Sequence, residues 1–262
     1  MNSILDTLAA HSRARAAEGE ALVPLEKIRD LALQAGPGGG DRFVHALVKP
    51  GLSLICEVKR ASPSKGMIAE HFPYLDIARD YEAAGADAVS CLTEPKWFLG
   101  SDAIFEEIRR AVDTPMLRKD FTVSPWQIYQ ARLMGADAVL LICSLLPEET
   151  LQSFLEICGT LGLAALTEAH DEDEIDMAVR CGAKIIGVNN RNLKDFSVDF
   201  SNAERLRNRV PSGCLYVAES GVKGPDDTKL LRMIGADAAL VGETLMRAAD
   251  RKETLASLRR EP

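Results

Sequence analysis

Six apolar runs in this sequence end in side chains that could move a proton or hold an anion. The first ends in Glu57 and Lys59, two positions apart and so on one face of an extended strand. The third carries Lys119 within Leu117-Arg118-Lys119-Asp120-Phe121, the fifth ends in Glu168, and the sixth ends in Asn189 with Arg191 just beyond. The seventh ends in Glu219, Ser220 and Gly221, and the eighth in Gly242 and Glu243. A single charged residue at a strand end is an ordinary edge position. Two lysines, an arginine and three carboxylates in equivalent places are different, because buried charges are costly unless paired or used. Such a set suits acid–base work on a small anionic substrate, with ammonium groups as acids and carboxylates as bases. Gly221 and Gly242 would let a phosphate approach backbone N–H groups. Arg118 and Asp120 alternate away from Lys119, so they are expected to face outward in structural roles.

The elements that must position these groups follow from periodicity. Eight apolar, β-rich runs occur: 52–59, 88–93, 116–121, 138–142, 163–168, 184–189, 215–220 and 238–242. Most are continuously apolar, as expected of parallel strands buried on both faces. Helical patterns lie between them. Ser124-Pro125 with Gln127 predicts a capping box, and Pro147-Glu148-Glu149, Asp171–Glu174 and Pro225-Asp226-Asp227 put Pro or acid in a first turn. Gly-Ala-Asp-Ala recurs at Gly85, Gly135 and Gly235, with a looser copy at Gly182; the spacings are 50, 47 and 53 residues. Each copy reads as helix end, left-handed turn and strand start, so each interval holds two strand–helix units. The fold class is therefore α/β, a closed (β/α)8 barrel over residues 49–262. A doubly wound sheet is the alternative, but it normally has fewer strands. Residues 1–48 form an N-terminal helical extension that could cap the bottom of the barrel or border its mouth. Gly36-Pro37-Gly38-Gly39-Gly40 is expected to be a flexible break in it.

Two loops after strands stand out. Arg60-Ala61-Ser62-Pro63-Ser64-Lys65-Gly66-Met67 is polar and punctuated by Gly and Pro, a candidate mobile lid. Glu94-Pro95-Lys96-Trp97-Phe98 sets two aromatics side by side in a chain with 5% aromatics; they could pack on an aromatic substrate or cover the rim.

The formal net charge of −8 disfavours nucleic acid and anionic membranes as partners. No apolar run is long enough to cross a membrane and no leader pattern opens the chain, so a cytoplasmic location is expected. The six cysteines lie far apart, without a C-x-x-C; five sit in or beside apolar runs and are expected to be buried reduced thiols. The four histidines lack metal-ligand spacing, so no metal is expected.

At Glu57-Val58-Lys59-Arg60-Ala61-Ser62-Pro63-Ser64, Leu117–Phe121, Thr167-Glu168-Ala169-His170, Gly187-Val188-Asn189-Asn190-Arg191 and Ala218–Gly221 the sequence resembles the indole-3-glycerol-phosphate synthases of tryptophan biosynthesis. The likeness runs over nearly the whole chain, including the extension. Glu243 is a departure, standing where some relatives have a small hydroxyl residue. The resemblance implies ring closure, decarboxylation and dehydration of 1-(2-carboxyphenylamino)-1-deoxyribulose 5-phosphate, with no cofactor. It implies Lys119 as general acid and Glu168 as base. Lys59 would hold the substrate carboxylate and phosphate end, and Glu57 would orient a lysine. Asn189, Glu219 and Ser220 would position hydroxyls and ring, and Arg191, Gly221, Gly242 and Ser62 would bind phosphate or substrate. A monomer or weak homodimer is expected. Two rival readings remain: an aldolase-type barrel forming a Schiff base on Lys59 or Lys119, and a sugar-phosphate isomerase barrel, which would be expected to use a Cys/Asp pair at the mouth.

Overall fold

Continuous apolar character along a strand requires cover on both faces, and a ring of strands wrapped by helices supplies it. A computed structural model describes residues 4–192 and 197–260. Three helices, α1 (Ile4–Leu22), α2 (Leu25–Gln34) and α3 (Gly40–Leu47), precede the first strand, β1 (Ser53–Val58). A small hairpin, β2 (Ala61–Ser62) and β3 (Gly66–Met67), lies in the loop after β1. The chain then alternates: α4 (Tyr74–Ala83), β4 (Ala88–Leu92), α5 (Asp102–Ala111), β5 (Met116–Lys119), α6 (Pro125–Leu133) and β6 (Ala138–Ile142). It continues with α7 (Glu148–Leu161), β7 (Ala164–Ala169), α8 (Glu172–Arg180), β8 (Ile185–Asn189), α9 (Ser201–Arg207) and β9 (Leu215–Glu219). It ends with α10 (Pro225–Met233), β10 (Ala238–Val241), α11 (Glu243–Met246) and α12 (Arg251–Arg259).

All strands but the hairpin join one closed parallel barrel in the order β1-β10-β9-β8-β7-β6-β5-β4, with β4 returning to β1. Each of the eight predicted runs supplies one barrel strand. The hairpin inside the first loop was not visible in the sequence, because two-residue strands have no readable period.

The repeat has a physical explanation beyond its glycine. Gly85, Gly135, Gly182 and Gly235 take φ of 80°, 81°, 85° and 71°, the left-handed turn that lets a helix stop and a strand begin. The aspartate two residues on then accepts a backbone N–H from a neighbouring strand. Asp87 takes that of Leu54 at 2.8 Å, Asp137 that of Met116 at 2.7 Å, and Asp237 that of Tyr216 at 2.7 Å. The looser copy has Lys184 in this place, which has no acceptor to offer.

The core has two layers. Ile55, Leu117, Leu140, Leu166 and Val217 fill the barrel interior, and Phe43 and Leu47 of α3 close it from below. A larger layer packs between strands and helices. The extension serves both ends, because α1 lies at the opposite mouth. Ser12 Oγ donates to the Phe121 carbonyl at 2.6 Å, and Arg15 clamps both oxygens of Asp120 at 3.1 and 3.0 Å.

The expected flexible break is a fixed contact instead. Gly38 N–H donates to the Leu161 carbonyl at 2.7 Å and Gly40 N–H to the Gly162 carbonyl at 2.8 Å. A Cβ on Gly38 or Gly40 would run into the backbone of residues 162–164, so these glycines permit close approach rather than motion. The cysteine expectation is also amended. Cys56, Cys91, Cys143 and Cys158 are buried free thiols, whereas Cys181 at the end of α8 and Cys214 just before β9 are half-buried.

Candidate active site

Strand parity selects the groups that meet. Leu117 and Lys119 point into the barrel, while Arg118 and Asp120 turn toward the outer layer, Asp120 still bordering the cavity. There Arg118 donates to Asp102 and Gln130, each at 2.9 Å, and Asp120 holds Arg15 and Thr93, so both are structural as expected. By the same alternation Glu57, Glu168, Asn189, Glu219 and Gly242 end their strands facing inward, with Lys59 one step past β1. Together with Lys119 they surround one cavity of about 810 Å³ at the C-terminal mouth.

The cavity floor is an ion network. Lys119 Nζ lies 3.1 Å from Glu168 Oε2 and 3.1 Å from Glu219 Oε2. Asn189 Nδ2 donates to Glu168 Oε1 at 3.1 Å, and Lys59 is ion-paired with Glu57. Burial works against the charge on Lys119, but Glu168 and Glu219 outweigh it, and its pKa rises above the ordinary lysine value. Burial likewise opposes ionisation of Glu168, yet the charge of Lys119 and the contact with His170 hold it well below the usual carboxylate range. Glu219 goes the other way. Burial, only partly offset by Lys119 and reinforced by the charge of Glu168, pushes it up to about 7. The two carboxylates on Lys119 are thus unequal: one stays ionised and the other is poised near neutrality.

Glycines make room for this arrangement. A Cβ at Gly187 would collide with Glu219 Oε1, and one at Gly242 with the Glu57 carboxylate. On the rim, Ser220 and Gly221 both have positive φ, 66° and 97°. That conformation is strained for serine, and strain of this kind concentrates at functional sites. Arg191, Ser62, Ser220, Gly221 and Gly242 all border the cavity. Arg191 donates its backbone N–H to Asn189 Oδ1 at 3.0 Å, which links the rim arginine to the floor. Glu243 also borders the cavity; its carboxylate is covered by Lys65 at 3.6 Å, reaching from the β2–β3 turn, and by Arg247 at 3.1 Å. The candidate lid is thereby pinned to the β10 side in this conformation.

The opposite arc is apolar. Leu5 and Leu8 of α1, Phe98, Phe121, Leu140 and Ile142 form a wall over β4, β5 and β6, with Phe98 and Phe121 6.0 Å apart. The aromatic pair of the second loop divides its work. Buried Glu94 accepts the N–H groups of Lys96, Trp97 and Phe98 at 2.9, 2.7 and 3.0 Å, which turns the loop so that Phe98 enters the cavity. Trp97 packs instead on His11 at 5.2 Å and under Lys96.

Sequence reasoning assigned nothing to His170 or to Leu5 and Leu8 at the site. His170 stands one residue past β7, with Nε2 3.4 Å from Glu168 Oε1. Its presence in the Glu168-Ala169-His170 segment, at the same parity as Glu168, was the available signal. Cys143 follows β6 but packs in the outer layer. Among the described residues no cluster of three His, Cys, Asp or Glu is arranged to hold a metal ion.

A closed parallel barrel with paired acids and bases at its C-terminal mouth defines an acid–base enzyme of the (β/α)8 class. The chain belongs to the indole-3-glycerol phosphate synthase family, whose model matches residues 5–258. It is 50% identical over 256 residues to the indole-3-glycerol phosphate synthase of Ruminiclostridium cellulolyticum, covering 98% of each chain. It is 52% identical over 217 residues to that of Lactiplantibacillus plantarum, covering 83% of this chain and 84% of the other. Among solved structures, thiamine phosphate pyrophosphorylase from Pyrococcus furiosus matches with a TM-score of 0.61 at 19% identity, covering 79% of this chain and 94% of that one. Tryptophan synthase subunit alpha from Legionella pneumophila also gives 0.61, at 13% identity, covering 83% and 97%. At such identities these two likenesses concern the barrel alone.

Proposed function

We propose that this chain converts 1-(2-carboxyphenylamino)-1-deoxyribulose 5-phosphate to indole-3-glycerol phosphate, carbon dioxide and water, a carboxy-lyase step of tryptophan biosynthesis. The observation that carries this reading is the floor itself. One lysine, held cationic by two carboxylates, sits between an apolar wall and a glycine-rich rim in the same cavity. A substrate with an aryl ring at one end and a phosphate at the other suits that polarity.

In this reading the aryl ring rests against Phe98, Phe121 and the leucines of α1. The phosphate lies at Arg191 and the backbone of Gly221 and Gly242, with Ser62 on the same rim. Lys59, oriented by Glu57, meets the substrate carboxylate and phosphate end. The ring carbon bearing the carboxylate attacks the C2 carbonyl. As the new bond forms, the carbonyl oxygen gains charge, and Lys119 donates a proton to it. The ring-closed iminium takes up the electron pair left when carbon dioxide departs, so the chemistry calls for no cofactor. The hydroxyl then leaves as water, a step in which Lys59 is a second proton source. Glu168 removes the proton whose loss makes the indole aromatic. Asn189, Glu219 and Ser220 position the hydroxyls and ring.

The carboxylates also weigh against a Schiff base on Lys119. An amine nucleophile needs a free lone pair. Glu168 and Glu219 keep the Lys119 nitrogen protonated instead.

The test is turnover of the carboxyphenylamino substrate by purified protein, followed by the growth of indole absorbance. Lys119→Met is expected to fold and to lower kcat by about 10² or more, the usual scale for a general acid. Absence of indole from the parent, or full activity in the variant, would refute the assignment.

A further inference from the structure

The proposed chemistry gives His170 no task, yet this residue is built into the site. Its Nδ1 lies within hydrogen-bond distance of Glu174 Oε2 on α8, at 3.0 Å, and its buried Nε2 makes no hydrogen bond but lies 3.4 Å from Glu168 Oε1 as an ion pair. Glu174 also accepts the backbone N–H of His170 at 2.8 Å, and the Glu174 N–H is in turn held by Asp171 at 2.9 Å. Both ring nitrogens therefore face carboxylate oxygens. A neutral imidazole has one N–H and one bare lone pair, so one of the two contacts would set a lone pair against an anion. Only the imidazolium presents an N–H, and a positive charge, to both carboxylates.

The surroundings agree. Lys119 on β5 faces the other oxygen of Glu168, and Glu219 on β9 lies beyond it. Asn189 on β8 donates to the same Oε1 that His170 meets. From α9, Asn202 donates to the His170 carbonyl at 3.4 Å. The Cys143 thiol after β6 is pushed up by burial and by the nearby charges of Glu174 and Glu168, so it stays neutral. Asp171 follows His170 in the chain and caps α8. Burial acts to discharge the imidazole, but Glu168 and Glu174 outweigh it and push its pKa up to about 10.

We propose that His170, held as an imidazolium between Glu168 and Glu174, is a positioning residue that pins Oε1 of Glu168 and leaves Oε2 as the oxygen that exchanges the proton. The proposal rests on the reading of Glu168 as the base. Its consequence is a division of labour within one carboxylate. Oε1 is held by the Asn189 hydrogen bond and the charge of His170, while Oε2 is directed at Lys119 and the cavity. Glu174 carries the arrangement into α8, so the helix after β7 takes part in orienting the base.

Two measurements decide it. In the intact protein, the His170 imidazole signals, assigned through the backbone by NMR, are expected to stay those of the charged ring past pH 8. Titration near pH 6.5 would overturn the proposal without any variant. In steady-state kinetics, His170→Asn is expected to lower kcat about tenfold or more with little change in KM, as befits a misplaced catalytic group. A purely structural histidine would not split kcat from KM in this way. Glu168→Gln is measured beside it. If that variant keeps full activity, the reading of Glu168 as base fails and the proposal falls with it. If Glu168→Gln is inactive while His170→Asn matches the parent in kcat, the role of His170 alone is overturned.

Discussion

Lys119 and its two carboxylates show how little of a residue's chemistry lies in its own side chain. Glu168 and Glu219 both sit 3.1 Å from the same ammonium, yet one is held ionised and the other is pushed up to about 7. The difference lies in the other oxygen: Glu168 Oε1 accepts from Asn189 and lies beside the charge of His170, whereas Glu219 Oε1 is buried without a hydrogen-bond partner. This has a consequence for stability. A carboxyl whose folded pKa lies above its ordinary value of 4.5 favours the folded state at low pH. That contribution is lost as pH rises from 4.5 through about 7. Glu219→Gln carries no charge at any pH, so it is expected to lose less stability than the parent across this interval. Urea midpoints at the two ends would show it, and identical slopes for parent and variant would contradict it. At the rim, Arg191→Ala is expected to raise KM, by about tenfold or more for a lost charge-assisted phosphate contact, with kcat nearly kept. An unchanged KM would remove Arg191 from the phosphate site.

The element that recurs here is a joint, in which a helix ends, the chain turns through glycine and a strand begins. The glycine was legible because only it takes the left-handed turn cheaply. The aspartate beside it was not, because its partner is a backbone N–H on another strand, more than twenty residues earlier in the chain for Asp137 and Asp237 and 33 for Asp87. Asp137 also pairs with Arg109 at 3.0 Å. Asp137→Ala should therefore strand the Met116 N–H and cost about 1–3 kcal/mol, the penalty for a buried unpaired donor. Calorimetry should record a fall of several degrees, since about 2–4 °C accompanies each kcal/mol in a domain of this size. An unshifted transition would mean that water replaces the carboxylate. A different limit on legibility applied to the 36–40 segment. Glycines read as loose because composition cannot tell a glycine that moves from one that lets two backbones touch.

For the whole molecule, the extension is part of the site. α3 closes the barrel floor, and α1 brings Leu5 and Leu8 to the opposite mouth, tied there by Ser12 and Arg15. In Arg15→Ala, Asp120 keeps Thr93 and Arg118, so the barrel should remain folded while α1 loses its ion pair. KM is expected to rise severalfold with a smaller change in kcat, because the apolar wall loosens while Lys119 and Glu168 stay in place. Kinetics identical to the parent would mean that the remaining contacts of α1 suffice.

The barrel, its eight strands and the inward set of Glu57, Lys119, Glu168, Asn189 and Glu219 were readable in the chain alone. Alternation with a period of two is a local property, and each strand end declares its own inward residue. Which carboxylate would gain an imidazolium, which of Trp97 and Phe98 would face the cavity, and what would wall its apolar side were decided only by closure. Those outcomes depend on contacts between segments far apart in sequence, such as α1 against the loop after β5, or on a turn such as the one between β7 and α8, whose path no periodicity encodes.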